Sequence, residues 1–265
     1  IDCAEWPPVT VLVPAHNEEL VIGQLLQVLT EVDYPRERLT ILPIDDRSTD
    51  GTAGIVEDFA ARHPDLIKPF YRREGKPGKG AALVDATELV ETDIMLVFDA
   101  DYIPGRGLIK QLTAPFFDPE VGAVMGRVVP KNVDVNLLTR ILDLERAGGY
   151  QVDQQARMNR RLIPQYGGTV GGIRKPALLA AGGWNENCLA EDTDATYRLL
   201  LAGWKTVYQN RSECYEESPE TWPSRRRQVT RWARGHNQTL ARYFWKLLGS
   251  RRVGFAEKVD GALLL

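Results

Sequence analysis

Residues 94–101 read Ile94-Met95-Leu96-Val97-Phe98-Asp99-Ala100-Asp101, a short apolar run followed by two carboxylates one residue apart. The apolar run predicts a buried strand. Paired carboxylates just past such a strand suit a hard divalent cation, Mg²⁺ or Mn²⁺, that also holds phosphate oxygens. A solvated turn is the alternative, because aspartate is common at strand ends.

The residues before this stretch alternate between strand and helix patterns. Strands are predicted at 9–14, 39–44 and near 67–71, and helices at 17–29, 53–62 and 81–90. The alternation predicts an α/β fold with a mostly parallel sheet and helices on both faces. Ligands of such sheets bind outside the carboxyl ends of the strands, where Asp45-Asp46 and Asp99-Ala100-Asp101 fall. The second half is less regular, with a long helix predicted over 137–155.

Composition places the chain among soluble globular proteins, since 43% of its 265 residues are hydrophobic and 26% are charged. A formal net charge of −3 gives no reason to expect a nucleic-acid partner. The cysteines, Cys3, Cys188 and Cys214, form no CxxC pair and no metal-ligand spacing, which indicates reduced thiols.

Several polar residues of the first half are candidates for binding a nucleotide. Asp45 and Asp46 either cap the next helix or accept a hydrogen bond from a base N–H, such as that of uracil. His16 and Glu18 follow the first strand and can line the same ligand-binding crevice, at the carboxyl ends of the strands. Lys79, between two glycines before a helix, is a candidate for contacting a diphosphate. The spacing around Lys79 is not that of a Walker A motif.

Two segments of the second half have both a structural and a catalytic interpretation. Glu191-Asp192 precedes a helix, where acidic residues commonly compensate the helix dipole. A carboxylate in such a position can instead act as a general base towards a hydroxyl. Gln228 to Trp232 lies in an arginine-rich stretch that forms either a basic helical face with Trp232 in the core or a site for a diphosphate and a sugar ring.

The C-terminal part of the sequence carries an amphipathic stripe, formed by Leu240, Tyr243, Phe244, Leu247 and Leu248. A basic amphipathic helix suits either a membrane interface or packing on the domain. No apolar run reaches the ~20 residues of a spanning helix. The start at Ile1 and the apolar ending, Gly261–Leu265, lead us to expect a piece of a longer membrane protein.

Taken together, these motifs resemble the family 2 glycosyltransferases of the GT-A fold. The resemblance is to the membrane-integrated branch that contains cellulose, hyaluronan and poly-N-acetylglucosamine synthases and glycolipid glucosyltransferases. It spans about Val9 to Gly235. The matching segments, in family order, are Val13 to Glu19, Ile44 to Asp46, Gly78 to Leu83, Phe98 to Asp101, Gly182 to Glu186, Glu191-Asp192 and Gln228 to Trp232.

The resemblance implies a role for each matched position. Nucleotide-sugar contacts are implied for Ala15, His16, Glu18, Asp45, Asp46, Lys79, Asp99, Gln228 and Arg231. Asp101, with Asp99, is implied to bind the metal, and Asp192 to act as the catalytic base. Acceptor contacts are implied for Trp232 and Glu191. His16 stands where the family commonly has tyrosine, and this difference concerns base binding.

The implied activity is inverting transfer of a hexose, from UDP-glucose or UDP-N-acetylglucosamine, to a polysaccharide or glycolipid acceptor. The reaction would be a metal-assisted single displacement that forms a β-glycosidic bond. Two other functions stay open: a haloacid-dehalogenase-like phosphatase with Asp99 as nucleophile, and a non-catalytic module that binds nucleotide sugars. The sequence leaves open the sugar, the linkage position, processivity and the oligomeric state.

The expected organisation is one GT-A domain over residues 1–238. Its nucleotide-sugar half is expected to span about 1–130 and its acceptor half about 131–238. Residues 239–265 are expected to form an amphipathic segment on the cytoplasmic face of a membrane. That segment would lead to transmembrane helices outside this sequence.

Overall fold

A computed structural model describes residues 5–264, apart from the side chains of Ser212 and Leu264. Cys3 and the end of the apolar run at Leu265 lie outside the described residues. Cys188 and Cys214 are free thiols, as expected.

The described residues form a single sheet flanked by helices. The strands in the described part of the chain are β1 (Val9–Ala15), β2 (Leu39–Asp46), β3 (Phe70–Arg72), β4 (Ile94–Val97), β5 (Ile103–Pro104), β6 (Val121–Pro130), β7 (Gly171–Arg174) and β8 (Lys205–Glu216). The α-helices of residues 5–264 are α1 (Ile22–Thr30), α2 (Thr52–Arg62), α3 (Lys79–Leu89), α4 (Leu108–Thr113), α5 (Leu137–Ala147), α6 (Gln155–Asn159), α7 (Lys175–Ala180), α8 (Glu191–Ala202), α9 (Trp222–Gly249) and α10 (Phe255–Leu264).

The strands form an eight-stranded sheet in the order β3-β2-β1-β4-β7-β6-β8-β5. The first four strands of this order are parallel to one another, and β6 is parallel to β8. β7 and β5 run antiparallel to their neighbours. The predicted α/β fold with a mostly parallel sheet is confirmed, and the sheet continues across the expected boundary near residue 130.

Apolar residues on both faces of the sheet explain the two helical layers. Val9, Val11 and Val13 of β1 pack on the face covered by α1, α2 and α4. Leu12, which points the opposite way, packs with α3, α7 and α8. Because successive strand residues alternate between faces, a strand buried on both sides needs a continuous apolar run.

The strand register brings the predicted acidic clusters to one edge. Ala15 at the end of β1 pairs with Asp45, and Asp45 pairs with Tyr71 of β3. On the other side of β1, Leu12 pairs with Val97. Asp99 therefore follows β4 at the level at which β1 ends, and the carboxylates after β2 and β4 face a common crevice.

The predicted helix over 17–29 is wrong at its beginning. α1 begins only at Ile22, and Leu20 is exposed instead of buried. The preceding backbone turns towards α2, where the Glu18 N–H donates a hydrogen bond to Thr52 Oγ1 at 2.8 Å. This long-range hydrogen bond keeps Glu18 outside the helix, in the loop that borders the crevice.

The predicted helix over 137–155 is not α-helical throughout. α5 ends at Ala147, a π-helical segment covers Gly148–Gln154, and α6 follows. π-helical turns are rare and are frequent at functional sites. Here the segment directs Tyr150 and Gln154 towards the crevice.

The motif at Gln228–Trp232 and the stripe at 240–248 lie on one helix, α9, of 28 residues. Thr221 caps this helix, since its side chain accepts a hydrogen bond from the Ser224 N–H at 3.4 Å. Tyr243 and Leu247 of the stripe are buried against Tyr197 of α8. These two residues face the domain, so the alternative of ordinary packing applies to them. Among the described residues, no helix combines the length and apolar character needed to cross a membrane.

Candidate active site

A cleft of about 1100 Å³ lies at the carboxyl ends of the parallel strands and draws its walls from both halves of the chain. It brings together all but one of the residues predicted from the sequence. The predicted residues that line it are Ala15, His16, Glu18, Asp46, Lys79, Asp99, Asp101, Glu191, Asp192, Gln228, Arg231 and Trp232. The exception is Asp45.

Asp45 and Asp46 have different surroundings although they are adjacent. The Asp45 side chain is fully buried; it accepts hydrogen bonds from the Ser48 N–H and from Arg73. Asp46 faces the cleft and accepts from Arg72 and from the Gly78 N–H, at 2.8 and 2.9 Å. Burial opposes ionisation, but these hydrogen bonds outweigh it and lower the pKa of Asp46. Asp46 therefore presents a charged carboxylate to the cleft, whereas Asp45 supports the loop.

His16 and Glu18 line the cleft beside Asp46. His16 Nδ1 lies 2.7 Å from the carbonyl oxygen of Asp46, so this nitrogen carries a proton and donates. Burial, together with the nearby Asp101 and Asp99, raises the pKa of Glu18. These two side chains extend the polar wall that begins at Asp46 towards the carboxylates after β4.

Lys79 and Asp99 form an ion pair across the cleft floor, with Nζ 2.5 Å from Oδ1. Burial disfavours the ammonium, but Asp99 and Glu191 outweigh it and raise the pKa of Lys79. The Asp99 N–H donates to Thr169 Oγ1 at 3.0 Å, which fixes the backbone of the loop after β4. The protonated Lys79 side chain therefore lies between carboxylates from the two halves of the chain.

Asp101 is a half-buried carboxylate that lies two residues after Asp99. Burial and the neighbouring Asp99 raise the pKa of Asp101 to about 6. Within residues 5–264, no group of three or more His, Cys, Asp or Glu side chains is arranged to hold a metal by itself. Mg²⁺ is commonly held by one or two carboxylates together with substrate phosphates. The pair Asp99 and Asp101 therefore fits a divalent cation whose remaining ligands come from a diphosphate.

Glu191 and Asp192 begin α8 and face Lys79 across the cleft. Burial and the adjacent Asp192 raise the pKa of Glu191, although Lys79 opposes the change. Asp192 Oδ1 accepts a hydrogen bond from the Thr193 N–H at 2.6 Å. Gly168 has a positive φ of 71°, and a Cβ there would lie 2.9 Å from the Asp192 Cβ. Only glycine therefore lets this loop pass Asp192 without displacing it.

α9 forms one wall of the cleft and crosses close to the start of α8. A Cβ on Gly235 would lie 2.5 Å from the Cβ of Ala190, so the two helices meet at glycine. This close contact brings Gln228, Arg231 and His236 to the cleft beside Glu191. The basic helix thereby brings Arg231 into the same cleft as Asp46, Asp99 and Asp101.

Glu216, at the end of β8, is a cleft residue that was not predicted from the sequence. It joins two walls of the cleft. Its buried carboxylate accepts from the Tyr102 hydroxyl at 2.6 Å and from Arg146 Nε at 2.7 Å. Burial opposes the charge of Arg146, but Glu216 outweighs it and raises the arginine pKa. Tyr102 directly follows Asp101, so Glu216 links the loop after β4 to α5.

Trp232 lies between two guanidinium groups at the cleft wall. The guanidinium carbons of Arg146 and Arg225 are 5.4 and 5.3 Å from its ring centroid. Arg225 also donates to Gln228 Oε1 at 2.7 Å. Cation–π contacts of this kind fix the orientation of an indole ring.

The sequence contained one signal that could have identified Glu216. The pair Glu216-Glu217 ends a strand, as Asp45-Asp46 does.

Glu216→Gln is expected to lower the free energy of unfolding by about 3 kcal/mol, because the substitution removes the charged partner of a largely buried arginine. Glu217→Gln is the matched control. Its ion pair with Lys131 is exposed, and its loss should cost less than about 1 kcal/mol. Urea unfolding of both variants measures the difference. Equal destabilisation by the two substitutions would contradict the linking role of Glu216.

Solved structures similar to this chain share its fold. The mannosyltransferase PcManGT from Pyrobaculum calidifontis, in complex with GDP-Man and Mn²⁺, aligns with a TM-score of 0.75 and 26% identity over 98% of this chain and 70% of that chain. S. aureus TarS 1-349 in complex with UDP-GlcNAc aligns with a TM-score of 0.65 and 19% identity, over 96% of this chain and 70% of that one. The fold is that of a GT-A glycosyltransferase.

Sequence comparisons identify the family. The model of the family described as "Glycosyltransferase like family 2" matches residues 7–235, and the chain belongs to glycosyltransferase family 2. The probable glycosyltransferase YdaM of Bacillus subtilis (strain 168) is 34% identical over 93% of this chain and 60% of its own length. The β-monoglucosyldiacylglycerol synthase of Synechocystis sp. (strain ATCC 27184 / PCC 6803 / Kazusa) is 34% identical over 96% of this chain and 53% of its own length.

The chain thus spans between about half and three-fifths of these curated relatives. Family membership confirms the resemblance that the motifs indicated, and it makes the chain a glycosyltransferase. It also removes the phosphatase alternative, in which Asp99 would be a nucleophile.

Proposed function

We propose that this chain is the catalytic domain of an inverting hexosyltransferase at the cytoplasmic face of a membrane. Its donor would be UDP-glucose or UDP-N-acetylglucosamine, and its acceptor a lipid. The observation that carries the proposal is the single cleft lined by Asp101, Lys79, Asp192 and Arg231. These residues suit, in turn, a cation, a diphosphate, an acceptor hydroxyl and a departing phosphate.

The nucleotide half of the donor would lie along the first wall. Asp46 keeps its charge and can accept from a base or ribose donor, with Ala15, His16 and Glu18 beside it. Asp45 would act through Asp46, because it does not line the cleft. Lys79 and Arg231 would contact the diphosphate from opposite sides of the cleft.

The donor set of Asp101 and Asp99 supports a bound Mg²⁺ or Mn²⁺. When bound, the cation would neutralise negative charge on the diphosphate. Asp101 would be its principal protein ligand, because Lys79 already engages Asp99. The similar mannosyltransferase structure in complex with GDP-Man and Mn²⁺ supports divalent metal use.

Asp192 would remove the proton from the acceptor hydroxyl, which attacks the anomeric carbon. The new C–O bond forms as the bond to the diphosphate breaks, and that electron pair leaves with the nucleoside diphosphate. Attack opposite the leaving group converts an α-linked donor into a β-linked product. Glu191 and Trp232 would border the acceptor.

A lipid acceptor is supported by the name of one relative, a β-monoglucosyldiacylglycerol synthase that is 34% identical over 96% of this chain. A growing polysaccharide is the other acceptor compatible with the motifs. GDP-mannose is the second candidate donor, because the neighbour in complex with GDP-Man is 26% identical.

The proposal is tested by supplying radiolabelled UDP-glucose, UDP-N-acetylglucosamine and GDP-mannose with Mn²⁺ and diacylglycerol in neutral detergent micelles. We expect a labelled monohexosyl lipid from a UDP-sugar, cleavable by a β-glycosidase. Label in oligosaccharide primers but not in lipid would favour the polysaccharide acceptor. A lipid product cleaved only by an α-glycosidase would contradict inversion.

Donor binding is expected to weaken as the pH falls through about 6. Binding of the metal–donor complex needs the Asp101 carboxylate, so protonation below its pKa should reduce affinity about tenfold per pH unit. Calorimetry with UDP-glucose and Mn²⁺ measures this, since the diphosphate of a nucleotide sugar does not itself titrate there. An affinity independent of pH in this range would contradict the role of Asp101.

A further inference from the structure

A second cavity of about 1170 Å³ lies beside the cleft, against the N-terminal half of α9. Its wall combines exposed arginines with exposed apolar side chains. The arginine groove is defined here by Leu189, Trp222, Arg226, Arg227, Val229 and Arg234. Leu189 also lines the cleft, so the groove and the acceptor side of the cleft are continuous.

The charge of α9 differs from that of the rest of the chain. The helix contains no aspartate or glutamate, whereas the whole chain has a net charge of −3. Arg225 and Arg242 are paired with carboxylates of other elements. In the described part of the chain, no carboxylate lies within ion-pair distance of Arg226, Arg227 or Arg234. The groove thus has positive charge available for a partner.

The apolar residues of the groove are exposed to solvent. Trp222 is 66% exposed, Leu189 47% and Val229 42%. Tryptophan and arginine together are typical of surfaces that meet lipid headgroups, where the indole reaches the interface and the guanidinium contacts phosphate.

We propose that the arginine groove docks on the anionic phospholipid headgroups of a bilayer. This inference rests on the proposed lipid acceptor and specifies how that acceptor reaches the site. Leu189 precedes the start of α8, so a docked headgroup layer would adjoin Asp192 on the acceptor side. The membrane contact lies upstream of the stripe at 240–248, in which Tyr243 and Leu247 are buried.

Co-sedimentation of the 265-residue chain with lipid vesicles tests the docking surface. We expect binding to phosphatidylcholine vesicles that contain phosphatidylglycerol, weaker binding to pure phosphatidylcholine, and release by salt. The double variant Arg226→Glu/Arg227→Glu should partition at least about 25-fold less, because each basic residue near an anionic surface contributes about fivefold.

The matched control is Arg36→Glu/Arg38→Glu, which reverses two charges at the amino end of β2, away from the cleft at the carboxyl ends of the strands. It should bind vesicles as the unmodified chain does. Both variants should bind UDP-glucose with Mn²⁺ normally, which shows that they are folded.

Unchanged vesicle binding by Arg226→Glu/Arg227→Glu would overturn the inference, as would equal binding to neutral vesicles. Binding to heparin without binding to anionic vesicles would overturn it in favour of a soluble polyanion. A chain that binds UDP-glucose but no vesicles would overturn the docking surface alone. Vesicle binding without any UDP-glucose binding would instead contradict the proposed function.

Discussion

Asp192→Asn is expected to lower the rate of hexose transfer by about 10²–10⁴-fold, the usual contribution of a general base. The amide keeps the shape of the side chain and its hydrogen bond from the Thr193 N–H, but it cannot take the acceptor proton. Donor affinity should change little, because Asp192 lies on the acceptor side of the cleft. Transfer assays and calorimetry with UDP-glucose separate the two effects.

The matched control for this prediction is Asp58→Asn, which removes an exposed carboxylate of α2 that pairs with Arg62. This variant should transfer hexose at the rate of the unmodified chain. If Asp192→Asn also retains transfer, another group acts as the base. Glu191, whose pKa is raised by burial, would then be the first candidate.

Asp101→Asn is expected to weaken metal-dependent donor binding by on the order of 100-fold, equivalent to about 2.7 kcal/mol. The substitution removes the carboxylate that Lys79 leaves available, while Asp99 stays paired. The neutral amide is a weaker ligand for a hard cation. Binding of UDP-glucose in EDTA should be similar in the variant and the unmodified chain.

Titration of Mn²⁺ into the chain with saturating UDP-glucose measures the predicted loss. Asp118→Asn, on an exposed turn before β6, is the matched control and should leave the Mn²⁺ dependence intact. An Asp101→Asn variant with the same metal dependence would remove Asp101 from the metal site. The cation would then have to be held by the donor and by another carboxylate.

The sequence predicted the first half of the fold because local patterns of apolar and polar residues mark its strands and helices. β1, β2 and β4 are apolar runs with polar residues at their carboxyl ends. In a parallel sheet these ends lie at the same side, so the polar residues come together. Asp46, Lys79, Asp99 and Asp101 therefore meet as predicted. The side chain of Asp45 points away, and strand alternation alone could have indicated this.

The rest of the site depends on contacts between residues distant in the sequence. The ion pair of Glu216 with Arg146 joins residues 70 positions apart, and no local pattern encodes it. The loop interaction of Glu18 with Thr52 delays the start of α1, and the π-helical segment interrupts a continuous helical pattern. For α9, helical periodicity identified an amphipathic helix, but its packing against α8 decides that Tyr243 and Leu247 are buried.

Calorimetric titration of UDP and of GDP, each with Mn²⁺ and with EDTA, tests the central claim most directly, because nucleotide binding needs no acceptor. We expect UDP to bind with Mn²⁺ and to lose most of its affinity in EDTA. Tighter binding of GDP would support the mannosyl donor instead. Absence of binding by either nucleotide, or equal binding in EDTA, would contradict the assignment of this cleft as a metal-dependent nucleotide-sugar site.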